Sequence, residues 1–170
     1  MNSADSPVRT HHRDGFLLTT DRSLIDVNVV HAFLSEAYWC SGIPRETIER
    51  AIQNSLCFAI LEGKRQVGFA RVISDYATYA YLADVFVIEE YRGRGLSTWL
   101  MECIVAHTDL QGLRRWTLAT RDAHGLYAKY GFTPLGAPDR FMERHDPTVY
   151  AKAAPASETI KRDGAKDSHE

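Results

Sequence analysis

The chain has 170 residues, 45% of them hydrophobic and 25% charged, which excludes a disordered chain and suits a single domain with one core. Lys and Arg number 20 against 22 Asp and Glu, a net charge of −2, and that balance excludes broad binding to nucleic acid or anionic membranes. The three cysteines, Cys40, Cys57 and Cys103, are too few and too scattered for a disulfide framework or a zinc ligand set, and they read as small buried hydrophobes in a reducing compartment.

Residues 1–13 are polar and are expected to form a flexible N-terminus, with His11-His12 solvated. They lack the apolar stretch of a signal peptide. The longest clearly apolar run, Leu56 to Leu61, is far short of the roughly 20 residues of a membrane helix, so a cytoplasmic location is expected. Gly15 to Thr19 predicts a short strand. Leu24 to Trp39 sets Val27, Val30, Phe33, Leu34 and Ala37 on one helical face. Pro44 suits a first helical position, and Ile48, Ala51 and Ile52 continue a second helix. Leu56–Leu61 and Gln66–Ser74 read as strands joined by a hairpin through Glu62-Gly63-Lys64-Arg65. Tyr79 to Ile88 is a strand of aromatic and branched residues.

A helix follows from about Gly95 to Ala106, burying Leu96, Trp99, Leu100, Cys103 and Ile104. Trp116–Ala119 reads as a short strand and Ala123–Tyr130 as a short helix. Further strands are expected around Phe132 and at Phe141–Glu143. The fold class is therefore α/β, a central mixed sheet flanked by helices, with crossovers in the second half that favour parallel pairing there. The domain spans residues 14–150. Residues 151–170 hold one large aliphatic, Ile160, too little to offset ordering entropy, and are expected to be a disordered tail.

The most informative stretch is Val85-Phe86-Val87-Ile88-Glu89-Glu90-Tyr91-Arg92-Gly93-Arg94-Gly95-Leu96-Ser97-Thr98. A buried strand enters a tight two-glycine loop and a helix begins at once. Glycines allow a sharp turn and close approach of a ligand. The helix start adds unpaired N–H groups and the positive dipole end, and Arg92 and Arg94 add charge, an arrangement suited to a pyrophosphate. A Walker loop would need Gly-Lys-Ser/Thr, which is missing, and a Rossmann fingerprint would need a glycine where Thr98 stands. Taken alone, the loop fits a plain strand-to-helix turn as well as a ligand site.

Two motifs together resolve this. Arg92-x-x-Gly95-x-Ser97 resembles the (Gln/Arg)-x-x-Gly-x-(Gly/Ala) pyrophosphate loop of the GNAT superfamily, the acyl-CoA-dependent N-acetyltransferases. Downstream, Ala123-His124-Gly125-Leu126-Tyr127-Ala128-Lys129-Tyr130-Gly131-Phe132 is similar to the family's Ala-x-x-(Leu/Phe)-Tyr-x-(Lys/Arg)-x-Gly-Phe segment. The resemblance covers roughly Phe16 to Glu143 and is most specific from Tyr79 to Phe132. It implies a GNAT-like fold and acetyl-CoA as co-substrate, with no metal. Binding is implied at Val85, Phe86 and Val87 along the pantetheine arm and at Arg92, Gly93, Arg94, Gly95, Leu96, Ser97 and Thr98 around the pyrophosphate. Thr120, Ala123 and Tyr127 complete the set. Ser97 replaces the usual Gly or Ala, and Thr120 stands where many members carry an asparagine.

Acetyl transfer to an amine needs a neutral nucleophile, and an alkyl amine with a pKa near 10.4 is almost wholly protonated at pH 7. Asp84 is the charged residue of an otherwise apolar strand, and alternation sets it on the face of Leu82 and Phe86. It is the candidate base; its equally weighted other reading is a carboxylate hydrogen-bonded to the backbone or to Arg71. The resemblance makes Tyr127 the general acid at the CoA sulfur. His124 is a second candidate base, with a helix-end or surface role favoured; Tyr38 and Trp39, between the first two helices, fall where the resemblance implies an acceptor pocket, with core packing favoured. Cys40 and Cys103 have no neighbouring histidine, which disfavours a thiol nucleophile. The expected activity is acetyl transfer from acetyl-CoA to a primary amine, of a small molecule or peptide, by direct attack in a ternary complex. The expected partners include neither nucleic acid nor membrane, and the protein is expected to be a monomer or homodimer. The competing function is a non-catalytic acyl-CoA-binding or regulatory module on the same fold.

Overall fold

The computed structural model describes residues 7–153. A six-stranded sheet runs β1 (Thr10–Arg13), β2 (Phe16–Thr19), β3 (Leu56–Glu62), β4 (Arg65–Ser74), β5 (Tyr79–Val87) and β6 (Arg115–Thr117), in that spatial order. The first five strands pair antiparallel with one another, and β6 joins β5 in parallel after a helical crossover. The helices are α1 (Val27–Glu36), α2 (Arg45–Gln53), α3 (Leu96–Val105), α4 (His124–Ala128) and α5 (Val149–Ala153). Asp26 caps α1 by accepting from Asn28 N–H at 2.9 Å, supplying one of the partners that a helix start lacks.

The sheet separates two apolar layers. On one face α3 packs Leu100, Met101 and Ile104 against Phe58, Ile60 and Val72. On the other, α1 and α2 press Val30, Leu34, Ile48 and Ile52 against Cys57, Phe69 and Phe86. Each such large side chain contributes about 1.5–3 kcal/mol when fully buried. Cys40 and Cys57 are buried among them, and burial pushes both thiols up to about 12.

Three features depart from the sequence reading. The N-terminus is not free through residue 13: Thr10–Arg13 pairs with β2 across Asp14-Gly15, both at positive φ (50° and 82°), the geometry of a tight two-residue hairpin. Arg13 then reaches Glu102 of α3 at 2.8 Å and covers the Trp99 ring. His11 and His12 are exposed, as expected. The strands expected at Phe132 and Phe141–Glu143 do not form. Gly131 turns the chain at φ 84° and Phe132 N–H bonds back to Tyr127 O, so Phe132 seals the end of α4 against Tyr127 and Trp116. Phe141 lies under the Arg115 guanidinium, while Met142 is 98% exposed, leaving no alternating face to bury. Residues 151–153 finish α5, and the rest of the expected tail lies outside the described residues.

Candidate active site

Strands β5 and β6 share three pairs, Tyr79 with Arg115, Ala80 with Trp116 and Tyr81 with Thr117, and then part. Beyond that point β5 runs on to Val87, and a cavity of about 300 Å³ opens between Ala83–Val85 and Ala119–Thr120. A second cavity of about 210 Å³ lies at the end of the same strand, lined by Val87, Tyr91, Arg92, Gly93, Gly95, Leu96, Ser97 and Thr98. Val85 belongs to the first and Val87 to the second. Two residues of strand span roughly 7 Å, so β5 links the two cavities.

The geometry of the second cavity suits an anion. Gly93 and Gly95 hold φ of 77° and 75°, conformations that L side chains rarely adopt. Gly95 caps α3 without a side chain, and the first bond into the helix is Trp99 N–H to Gly95 O at 3.0 Å. The N–H groups of the first turn therefore face outward with the positive end of the helix dipole behind them. Arg92 lines the cavity and donates to Val87 O at 3.2 Å. Arg94 does not line it: its guanidinium lies over the Tyr91 ring and 3.9 Å from Glu62. Tyr91 is itself fixed, donating to Glu62 at 2.7 Å with Arg65 on its ring. The loop is thus braced on the β3–β4 hairpin.

The first cavity gathers the two expected catalytic side chains. Tyr127, 9% exposed on α4, lines it, and its hydroxyl has no hydrogen-bond partner among the described residues. Burial, with smaller contributions from Tyr38 and Asp122, pushes the phenol up to about 12. It stays protonated at neutral pH, so it keeps a proton to donate. Tyr130, one turn on, donates instead to Thr98 O of α3 at 2.8 Å.

Asp84 enters the cavity through an irregularity in β5. Phe69 pairs with Phe86 and Arg71 with Ala83, so Ala70 of β4 faces both Asp84 and Val85. This is a β-bulge, and Asp84 occupies φ 54°, uncommon for any residue but glycine though Asp tolerates it better than most. The bulge corrects the alternation argument: Leu82 packs toward α3, whereas Phe86 packs toward α1, stacked 3.9 Å from Phe33. Asp84 does not share a face with both. Its carboxylate accepts from Arg71 Nε and from Trp39 Nε1 at 3.2 Å. Arg71 also donates to Ser55 at 3.2 Å. The ion pair weighed as Asp84's alternative role is therefore present, on a side chain that still opens into the cavity.

Other expected positions sort clearly. Thr120 and Ala123 line the first cavity, and Thr120 Oγ1 accepts from Ala123 N–H at 3.0 Å. The Phe86 side chain lines neither cavity. His124 is exposed and lines neither. Tyr38 and Trp39 are not core residues: 50% and 43% exposed, they form part of the cavity wall. Tyr81, Asp122 and Tyr150 line it as well and had no sequence signal, because three distant segments bring them there.

This arrangement has counterparts. A model of the acetyltransferase (GNAT) domain family matches residues 53–134. An acetyltransferase-named protein of Gibberella zeae is 30% identical over 140 residues, covering 69% of this chain and 78% of its own. The chain belongs to the GNAT acetyltransferases. A GNAT-family protein of Xanthomonas campestris pv. campestris, known from its crystal structure, is 53% identical, with a TM-score of 0.78 over 84% of this chain and 99% of its own. An acetyltransferase of Clostridium acetobutylicum, whose structure contains acetyl-CoA, shares the fold at 15% identity, with a TM-score of 0.56 over 82% of this chain and 95% of its own. In this GNAT chain no group of three or more potential metal ligands occurs among the described residues, and no described helix is long and apolar enough to cross a membrane.

Proposed function

We propose that this GNAT protein transfers acetyl from acetyl-CoA to the nitrogen of a primary amine by direct attack in a ternary complex. The observation that carries the reading is the pairing of an unpartnered, protonated Tyr127 hydroxyl with the Asp84 carboxylate in one cavity, joined along β5 to an anion loop. The glycines of that loop have open space where a Cβ would stand, which suits a pyrophosphate held by Arg92 and the N–H groups of Leu96, Ser97 and Thr98. The unpaired edge of β5 past Tyr81 offers backbone groups at Val85, Phe86 and Val87 to the pantetheine arm, with Thr120 and Ala123 opposite. Arg94 contributes long-range charge to the loop.

The acceptor enters as an ammonium, and Asp84 takes its proton through a lone pair not used by Arg71 or Trp39. The neutral nitrogen attacks the thioester carbonyl, the C–N bond forms, and the C–S bond breaks. Backbone N–H groups of β5 stabilise the oxyanion. Tyr127 donates a hydrogen bond to the departing sulfur, which leaves as thiol once the proton shed by the amine is counted. The products are an amide, free CoA and one proton. The test follows CoA thiol release over a panel of amines, with mass spectrometry of the products. Acetylated amine formed by the wild type and slowed in Tyr127→Phe supports the reading. If acetyl-CoA raises the melting temperature but no amine is acetylated, the chain is an acyl-CoA-binding module instead.

A further inference from the structure

The walls of the first cavity carry information about its occupant. Tyr38, Trp39, Tyr81 and Tyr150 contribute four aromatic rings besides Tyr127. The charged residues lining it are Arg71, Asp84 and Asp122, two carboxylates against one guanidinium. That guanidinium is committed to Asp84 and to the Ser55 hydroxyl. Arg121 does not line the cavity; its guanidinium lies 4.0 Å over the Tyr38 ring and 4.0 Å from Asp122. Among the described residues, the lining side chains therefore sum to one negative charge, and their single cation, Arg71, is already committed. Aromatic faces attract cations electrostatically and accept flat apolar groups. At about 300 Å³ it lies at the small end of ligand sites, and it must also admit the thioester.

We infer that the acceptor is a compact primary amine with an aromatic or similarly apolar body and no anionic group. Its ammonium is drawn to Asp84 and its body lies against Trp39, Tyr38 and Tyr81. A carboxylate or phosphate on the acceptor would lose its hydration among rings and carboxylates without a cation in exchange. This rests on the acetyl-transfer reading and narrows it to a class of substrate. Tyr150 comes from α5, so the last described segment of the chain closes one wall of the same pocket.

Three probes test it: phenethylamine, phenylalanine, which adds a carboxylate, and ethanolamine, which lacks the apolar body. Their binding to the CoA-loaded protein is read by calorimetry and their acetylation by thiol release. Phenethylamine should bind at least tenfold more tightly, and react with at least tenfold higher kcat/KM, than either comparator. Trp39→Ala should raise its KM roughly tenfold and leave the KM of acetyl-CoA unchanged. Trp39→Phe, which keeps a ring but loses the bond to Asp84, should recover most of that. Phenylalanine or ethanolamine matching phenethylamine would overturn the inference. Selective binding of phenethylamine without acetylation would leave the inference standing and remove the transferase reading, so the two failures are distinct.

Discussion

Replacing Tyr127 and Tyr130 by phenylalanine separates catalysis from stability with one atom deleted in each case. The Tyr127 hydroxyl has no protein partner among the described residues, so its removal orphans nothing in the free protein and should leave the melting temperature within about 1 °C. In the proposed reaction its contribution appears only when charge develops on the leaving sulfur. A hydrogen bond to a charged group contributes about 1.5–3 kcal/mol, so kcat should fall roughly ten- to a hundredfold or somewhat more. The KM of acetyl-CoA should barely move, because a neutral thioester gains little from the phenol. Tyr130 is the reverse case. Its hydroxyl donates to Thr98 O at 2.8 Å, and losing that bond between neutral groups costs about 1 kcal/mol. For a chain of this length that is a fall of about 2–4 °C in the melting temperature, with kcat changed less than about threefold. Thermal unfolding and initial-rate kinetics on both variants give four numbers. Wild-type kcat in Tyr127→Phe, or equal losses of kcat in the two variants, would refute the assignment.

Gly95→Val should abolish stabilisation by acetyl-CoA, since valine resists φ 75° and distorts the first turn of α3; a folded variant that still gains melting temperature from acetyl-CoA would show the pyrophosphate lies elsewhere. Asp84→Asn should lower activity most below neutral pH, and it should also cost about 3 kcal/mol in urea unfolding, because Arg71, only 18% exposed, loses its countercharge; an unchanged urea midpoint would mean the ion pair contributes little. The thiols of Cys40 and Cys57 are raised from 9.0 to about 12 and the Tyr127 phenol from 10.0 to about 12. Groups raised in the folded state ionise first in the unfolded chain, so the contribution of these three to stability should be fully present below about pH 9 and be lost progressively toward pH 12. Urea midpoints measured across that range test this, and a flat profile would contradict it. In the native protein at pH 8, iodoacetamide should modify Cys103, which is half-buried, before either of the others.

What the sequence made legible was local. The glycine loop before α3 and the α4 segment depend on neighbours within a few residues, so their motifs could be read directly, although the turn at Gly131 stands where the sequence reads as a strand around Phe132. The first strand was equally readable: Asp14-Gly15 is a hairpin signal beside the Phe16 strand, but the polar Thr10–Arg13 masked it. The bulge at Asp84 left no mark, because strict alternation is the only parity a sequence offers and one inserted residue reverses it. The aromatic wall was hidden for a different reason. Tyr38, Trp39, Tyr81 and Tyr150 come from three separate parts of the chain, and an aromatic between two helices reads as core until the fold shows that it stands half-exposed at a cavity.

The bracing of Tyr91 by Glu62, Arg65 and Arg94 has a kinetic consequence. A phosphate-binding loop fixed before its ligand arrives has already met its ordering cost during folding. Association with CoA should then be a single-phase encounter accelerated by charge and slowed by salt, without a saturating isomerisation step. Tyr91→Ala would release the loop, and the same nucleotide would bind more weakly and with an added slow phase. On the proposed reaction, the residue expected to set how fast the co-substrate is captured is thus an aromatic ring, Tyr91, pinned beside the glycines.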